Sequence, residues 1–281
     1  MVGAMSATLL LAVAQPEVRK DPRENGVTVR RLMRAAAEGG ARMVLFPEGM
    51  VSGYAKAQVQ SWDDVDFEVV REELEAVAAL AVELSIWVIL GSAHTLTAPH
   101  RPHNSVYVVA DDGRVMDRYD KRVLSNTEVT RFYTPGFEPV VFEVDEYRFG
   151  IVVCVEINFP DLFIEYEQLG VDCVLLPAYP VDSIFATKAR GYAAIHNYWV
   201  AMSIPAQSSE LFLSALIGPD GQVLAEVDPA NELQVVELDP HDPVNHHALT
   251  VKRPWRAQAR AGQIYRDHQV ADPRSDTRTT F

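Results

Sequence analysis

Three residues that could act together in nucleophilic catalysis each follow a short apolar run of the chain. They are Glu48 in LFPEG, Lys121 in RYDKR and Cys154 in VVCVE. Side chains that follow strands of an α/β protein commonly meet at one edge of a sheet, where such folds bind ligands. A thiol is mostly protonated at neutral pH, so it needs a base or a nearby cation before it attacks a carbonyl or nitrile carbon. Glu48 can be that base, and Lys121 can stabilise the anion that forms.

Each of these residues also has a purely structural explanation. Glu48 and Lys121 taken singly could be solvated surface charges, and a cysteine in an apolar run is commonly a small buried hydrophobe. The other cysteine, Cys173, lies in a separate apolar run and forms no CxxC motif with Cys154. Two cysteines are too few for a disulfide framework, so we expect two free thiols.

No cofactor is predicted. The histidines form two loose clusters, at 94–103 and 241–247, without cysteines or carboxylates at metal-binding spacing. The chain also lacks the glycine-rich loops that bind nucleotide phosphates.

Apolar runs and helical spacing predict the elements that must position the three residues. Strands are expected at 7–14, 43–46, 86–91, 173–176 and 199–204, and helices at 24–38, 66–84, 162–169 and 183–197. Two hairpins are expected at 105–119 and 139–154, and further strand-like runs occur at 214–218, 222–227 and 233–238. Alternating helices and strands with interspersed hairpins predict an α/β protein with mixed sheets.

Length and charge limit the class of protein. The chain has 281 residues and a formal net charge of −14, which argues against a nucleic-acid or anionic-membrane partner. No stretch reaches membrane-spanning length, so we expect a cytoplasmic protein. With no Gly/Ser or Pro-rich linker, we predict one catalytic domain over 5–262, followed by a tail over 263–281 that is disordered or forms an interface arm.

The ordered motifs LFPEG, YDK and CVEINFPD resemble the nitrilase superfamily of carbon–nitrogen hydrolases, from the first strand to about residue 240. The resemblance implies a four-layer α-β-β-α sandwich and a catalytic triad of Glu48, Lys121 and Cys154. It also implies that Glu128, in KRVLSNTEVTRFYTPG, orients the substrate and the lysine, although a solvated loop carboxylate is the alternative. Members of the family commonly form homodimers or larger homo-oligomers, with the C-terminal segment reaching across to the partner.

The motifs predict the reaction more closely than the substrate. We expect hydrolysis of a small amide or carbamoyl compound through a cysteine thioester, with the backbone N–H of Val155 helping to hold the oxyanion. Tyr54, Tyr133 and Tyr179 are candidates for lining the substrate pocket, although core packing explains them equally well. The acidic residue two positions after Cys154 is similar to that of true nitrilases, while the NFPD sequence is similar to the amidase branch. A nitrilase and a non-catalytic binding protein are therefore the alternatives.

Overall fold

The computed structural model describes residues 8–279, which form two six-stranded sheets and eight α-helices. The strands are, in chain order, β1 (Leu9–Ala14), β2 (Met43–Leu45), β3 (Trp87–His94), β4 (His103–Val109), β5 (Val115–Asp120), β6 (Val141–Val144), β7 (Tyr147–Ile151), β8 (Cys173–Pro177), β9 (Trp199–Ser203), β10 (Ala215–Ile217), β11 (Val223–Glu226) and β12 (Leu233–Leu238). The helices are α1 (Pro22–Glu38), α2 (Phe67–Leu84), α3 (Pro160–Gln168), α4 (Ile184–His196), α5 (Pro243–His247), α6 (Arg253–Ala261), α7 (Gln263–Arg266) and α8 (Pro273–Asp276).

The two sheets share one pattern of strand pairing. The first sheet has the order β12-β1-β2-β3-β4-β5, and the second has β6-β7-β8-β9-β10-β11. Taken in these orders, both have an antiparallel pair, two parallel pairs and two antiparallel pairs. In both, the two parallel connections are made by helices, α1 and α2 in the first sheet and α3 and α4 in the second. Mixed sheets, as predicted, are therefore confirmed.

Alternation along the central strands separates two apolar cores. In β1, Leu9, Leu11 and Val13 belong to the core that both sheets share, whereas Ala12 and Ala14 belong to the core beneath α1 and α2. Successive side chains of a strand point to opposite faces, so a strand that is buried on both sides reads as a continuous apolar run. The predicted four-layer α-β-β-α sandwich is confirmed.

Local capping sets where the first two helices begin. Asp21 accepts the N–H of Arg23 ahead of Pro22, and Asp66 accepts the N–H groups of Glu68 and Val69. Such caps stabilise a helix by about 1 kcal/mol each. The helices predicted at 24–38 and 66–84 are confirmed to within two residues at each end, while Ala7 of the predicted first strand lies outside the described residues.

One element differs from its prediction where the chemistry is expected. The strand predicted to run through Cys154 ends at Ile151, and a 3₁₀ helix occupies Cys154–Asn158. Val152 and Val153 are fully buried, yet Val153 donates its N–H to the Glu156 carboxylate instead of to a neighbouring strand. Val152 still donates its N–H to Leu175 of β8, so a side chain replaces the expected strand pairing only from Val153 onward.

The C-terminal segment packs on the second sheet's helices in the same chain. Arg253 pairs with Asp172 at 2.9 Å, and Arg256 and Arg260 both pair with Glu167. Residues 263–279 are exposed except for partial burial at Ile264. The boundary at residue 262 and the interface arm stay predictions, and residues 280 and 281 lie outside the described chain. None of the helices in residues 8–279 is long and apolar enough to cross a membrane.

Candidate active site

Glu48 lies in a turn three residues after β2 and is completely buried. The turn packs closely against β3, where a Cβ added to Gly91 would lie 2.3 Å from the Pro47 carbonyl oxygen, so only glycine fits there. Oε1 of Glu48 accepts hydrogen bonds from Lys121 Nζ and Asn104 Nδ2, both at 2.7 Å. Oε2 accepts the backbone N–H of Tyr179 at 3.0 Å. The carboxylate is therefore held at both oxygens.

Lys121 is the first residue after β5 and is also completely buried. Its ammonium donates to Glu48 Oε1 at 2.7 Å and to Glu128 Oε1 at 2.9 Å. Burial lowers the pKa of Lys121, but the charges of Glu48 and Glu128 outweigh it and raise the pKa well above its usual value. The lysine is therefore a permanent cation within a water-poor site.

Glu128 begins a π-helical turn and is buried beside the lysine. Its second oxygen accepts the backbone N–H of Ser125 at 2.7 Å, and Tyr54 Oη donates to its first at 3.3 Å. Burial raises the pKa of Glu128, but the charge and hydrogen bond of Lys121 hold the pKa below its ordinary value of 4.5. The alternative of a solvated loop carboxylate is therefore wrong.

Cys154 lies at the start of the 3₁₀ helix, with a left-handed backbone φ of +48° and 8% of its surface exposed. Backbone strain of this kind in a residue other than glycine clusters at functional sites. Burial raises the pKa of the Cys154 thiol, Glu48 raises it further, and Lys121 acts in the opposite direction. The resting residue is therefore a neutral thiol that needs a base.

The backbone of Tyr179 links the Cys154 thiol to the Glu48 carboxylate. The Cys154 thiol donates to the Tyr179 carbonyl oxygen at 3.6 Å, while the N–H of the same residue donates to Glu48. This places Cys154, from the second sheet, next to Glu48, from the first. Tertiary structure thus brings together all four residues for which the sequence predicted a catalytic role.

A cavity of about 130 Å³ opens above the thiol. Tyr54 and Tyr179 line it and stack on each other with ring centroids 4.7 Å apart, and Val155 lines it beside the cysteine. Tyr133 lies outside this lining, where it packs on Trp62 and accepts the N–H of Ala55 through Oη. Its predicted role in substrate binding stays untested, and its position does not favour it.

Two lysines lie at the mouth of the cavity. Lys56 donates to Ser125 Oγ at 3.1 Å, and Lys188 donates to Asn158 Oδ1 at 2.6 Å. Both partners are neutral, and neither lysine makes an ion pair within residues 8–279. Asp182 is the exposed acidic residue of the lining. An anionic group of a ligand at the mouth would meet two lysines that form no ion pair among the described residues, with Asp182 on the same lining.

For three groups of the site, the sequence did not predict the contacts that they make. They are the Asn104 amide, the Tyr179 peptide and the Glu156 carboxylate. The sequence gives a weak indication of Asn104, because the polar residues HNS at the start of β4 are unusual in a strand that is otherwise apolar. A backbone group such as the Tyr179 peptide has no signal in the sequence. Among residues 8–279, no group of three or more His, Cys, Asp or Glu side chains could hold a metal ion.

The family model for carbon-nitrogen hydrolase matches residues 10–243, most of the chain. The protein belongs to this family. The superfamily that the motifs resemble is therefore confirmed, and the protein is a carbon–nitrogen hydrolase.

Curated relatives of this hydrolase include amidases. It is 26% identical over 253 residues to omega-amidase NIT2 of Bos taurus, covering 83% of this chain and 89% of the relative. It is 25% identical over 258 residues to a chloroplastic omega-amidase of Arabidopsis thaliana, covering 82% and 67%. Hydrolase MT0498 of Mycobacterium tuberculosis is 32% identical over 175 residues, 60% of each chain.

Solved structures with the same fold include an amidase from Nesterenkonia sp. One structure superposes with a TM-score of 0.74 at 22% identity and covers 88% of this chain and 96% of that one. A variant of that amidase, which carries the acetamide moiety of fluoroacetamide on its active-site cysteine, superposes with a TM-score of 0.75 at 21% identity, covering 92% and 98%. At this identity the likeness establishes the fold.

Proposed function

We propose that this carbon–nitrogen hydrolase cleaves amides of small molecules, with Cys154 as nucleophile, Glu48 as general base and Lys121 as the cation that holds the oxyanion. One observation carries the proposal: a fully buried ammonium lies between two carboxylates beside a neutral thiol, at the base of a small cavity. Removing charged groups from water costs free energy that their mutual attraction often does not recover. Such a cluster is therefore not explained by stability alone. The names of the omega-amidase relatives support amides as the substrates.

In the first half of the reaction, Cys154 Sγ attacks the amide carbon while Glu48 accepts the thiol proton. The carbonyl oxygen becomes an oxyanion, which Lys121 Nζ and the backbone N–H of Val155 stabilise. The first N–H groups of a helical turn have no partner within the turn, which leaves that of Val155 available. Glu48 then protonates the nitrogen, the C–N bond breaks, and ammonia or an amine leaves a thioester on Cys154.

In the second half, Glu48 removes a proton from water, and the hydroxide adds to the thioester carbon. The same donors hold the second oxyanion. The C–S bond then breaks, the sulfur recovers a proton from Glu48, and the carboxylic acid leaves. In this scheme Glu128 never transfers a proton, because its role is to keep Lys121 charged and oriented.

Amides are preferred to nitriles because of the chemistry available at the site. An amide gives an oxyanion, for which Lys121 and the Val155 N–H are suitable donors. A nitrile instead gives a thioimidate that must gain a proton and add water before ammonia leaves. Val129 and not an arginine directly follows Glu128, and no tryptophan follows in that loop, so the signature typical of true nitrilases is incomplete.

The test is ammonia release from matched amides, carbamoyl compounds and nitriles that share one acyl group. Each acyl group should be supplied both with and without a terminal carboxylate, because Lys56 and Lys188 border the cavity mouth. We expect higher kcat/KM for the amide in every pair. Faster release from the nitriles would replace the amidase with a nitrilase, and no release from any compound, together with an unreactive Cys154, would favour the binding protein.

We also propose that the hydrolase is a homo-oligomer. Apolar side chains on α4 and α6 support this, since Ile184, Ile195 and Trp255 are each at least 50% exposed. Light scattering on the full chain and on a chain ending at Val251 is the test, and the shortened chain should have fewer subunits per particle and a lower Tm. An unchanged number of subunits would contradict a role for the segment in assembly. Cytoplasmic location stays a prediction, because the relatives include a chloroplastic protein.

A further inference from the structure

Glu156 is a completely buried carboxylate that the proposed reaction does not use. It lies two residues after Cys154, in the 3₁₀ helix. Burial raises the pKa of Glu156, and hydrogen bonds from the backbone N–H groups of Val123 and Val153 act in the opposite direction, as does the charge of Lys121. No arginine or lysine within residues 8–279 makes an ion pair with it. A buried carboxylate without a counterion requires another explanation.

Hydrogen-bond donors surround this carboxylate on both sides. Oε1 accepts the backbone N–H of Arg122 at 2.7 Å and that of Val123 at 3.0 Å. Oε2 accepts the backbone N–H of Val153 at 2.7 Å. The Tyr119 hydroxyl lies 2.8 Å from Oε1 and 2.9 Å from Oε2. Three backbone N–H donors and one hydroxyl face the group, an arrangement that favours an ionised carboxylate.

These donors belong to the two segments that carry the reacting groups. Arg122 follows Lys121, at the end of β5 in the first sheet. Val153 precedes Cys154, beyond the end of β7 in the second sheet. One carboxylate therefore joins the backbone beside the cation to the backbone beside the nucleophile. The bond to Val153 also closes the turn that gives Cys154 its left-handed backbone.

We propose that Glu156 is the positioning residue that sets the place of the Cys154 nucleophile relative to the Lys121 ammonium. Two segments from different sheets have no strand pairing to keep them in register, so a side chain must do so. Displacement of a reacting group by about 1 Å is enough to lower a rate about 100-fold. The inference rests on the proposed function, since it assigns the spacing of the nucleophile and the oxyanion donor.

Glu156→Gln is the informative variant, because it keeps the shape and replaces one acceptor by a donor. Its NH₂ group would face either the Val153 N–H or the two N–H groups of Arg122 and Val123. We expect kcat for an amide to fall about 100-fold with KM changed less than about threefold, since mispositioning acts on the transition state. Alkylation of Cys154 by iodoacetamide should also slow, measured with Cys173→Ala present so that one thiol reacts.

Glu73→Gln is the matched control. Glu73 is a buried glutamate of α2 that pairs with Arg30 of α1 and does not line the cavity. The Glu73→Gln substitution should lower Tm without changing kcat or the alkylation rate. If Glu156→Gln lowers only Tm, as the control does, then Glu156 is structural and the inference is wrong.

Glu156→Asp keeps the charge and shortens the side chain by one carbon–carbon bond, about 1.5 Å. It provides the answer if Glu156→Gln does not fold. The shorter carboxylate cannot reach both segments, so kcat should still fall at least about tenfold, whereas wild-type kcat would overturn the inference. The alkylation rate tests the positioning role separately from the proposed function, because alkylation needs no turnover. A wild-type enzyme that hydrolyses no amide refutes the amidase function. A normal alkylation rate in Glu156→Gln refutes the positioning role.

Discussion

The two sheets have the same pairing pattern, yet they contribute different chemistry to the cavity. The first sheet delivers the ionisable groups: Glu48 after β2, Lys121 after β5, and Glu128 in the loop beyond. The second delivers the thiol, after β7, and a backbone peptide at Tyr179, after β8. β2 and β8 occupy equivalent places in their sheets, so a carboxylate in one corresponds to a peptide group in the other. These two groups meet in the hydrogen bond from Tyr179 N to Glu48 Oε2.

The difference explains how a buried thiol comes to lie beside buried charges. A thiol at the carboxyl end of a parallel strand pair, placed among its own sheet's apolar side chains, would be inert. Its proposed proton acceptor, Glu48, and the Lys121 cation come from the facing sheet. The charges are thereby kept out of water. Hydrogen bonds and ion pairs are stronger in this low-dielectric interior than in water.

The largest expected effect compares two cysteines of the second sheet. Cys154→Ala should abolish turnover, because no other thiol faces the cavity. Cys173 is completely buried at the start of β8, where Cys173→Ala removes one sulfur and costs about 1 kcal/mol of stability. The measurement is kcat together with Tm for both variants. Loss of activity in Cys173→Ala with normal activity in Cys154→Ala would reverse the assignment of the nucleophile.

Removing the first sheet's base should have the next largest effect. Glu48→Gln keeps the shape and loses the proton acceptor, so kcat should fall between about 10² and 10⁴-fold. Single-turnover measurements with an activated ester give separate rates for attack by Cys154 and for hydrolysis of the thioester. Both rates should fall. A near-normal rate would rule out Glu48 as the base.

Lys121→Met tests the cation with little change of volume. The oxyanion loses a charged donor, which contributes on the order of 3 kcal/mol, or more than about 100-fold in kcat. Glu48 and Glu128 would also lose their shared partner, which destabilises a buried pair by about 3–5 kcal/mol. Thermal unfolding should therefore be measured beside kcat. A variant with wild-type kcat would contradict the role of Lys121.

Glu128→Gln should have a smaller effect on rate and a distinct effect on acid stability. The folded state lowers the pKa of Glu128, so its ionised form stabilises the fold above about pH 4.5, and this is lost as the pH falls through the lower folded value. We expect kcat to fall about tenfold to 100-fold. The Tm difference between wild type and Glu128→Gln should shrink as the pH is lowered from neutral. A difference that is independent of pH would contradict the assigned ion pair.

The smallest expected effects separate the three tyrosines. Tyr54, from the first sheet's side, and Tyr179, from the second, line the cavity as a stacked pair, so Tyr54→Ala and Tyr179→Ala should raise KM about tenfold. Tyr133→Phe loses only an Oη that accepts a long bond of 3.4 Å from Ala55, so KM should stay within about twofold. A KM increase confined to Tyr133→Phe would place the substrate on the other side of Tyr54.

The sequence by itself determined the strand runs, the capped helices and the residue types that follow strands. Those are local properties, namely the period-2 and period-3.6 patterns of apolar residues. They were enough to select Glu48, Lys121, Cys154 and Glu128 as candidates, with help from motif resemblance for the last. They did not detect where the strand before Cys154 stops, because burial alone keeps Val152 and Val153 apolar.

Only the tertiary structure decided which groups surround those candidates. Tyr179 lies 131 positions from the Glu48 that its N–H contacts, and Glu156 lies 34 positions from the Arg122 N–H that it accepts. No pattern within one segment encodes such pairs, and a backbone N–H has no residue type to recognise. The same reason separates Tyr54 and Tyr179, which face the cavity, from Tyr133, which faces Trp62. Which side of an aromatic ring meets a ligand is set by the packing of two sheets whose chain segments are far apart in the sequence.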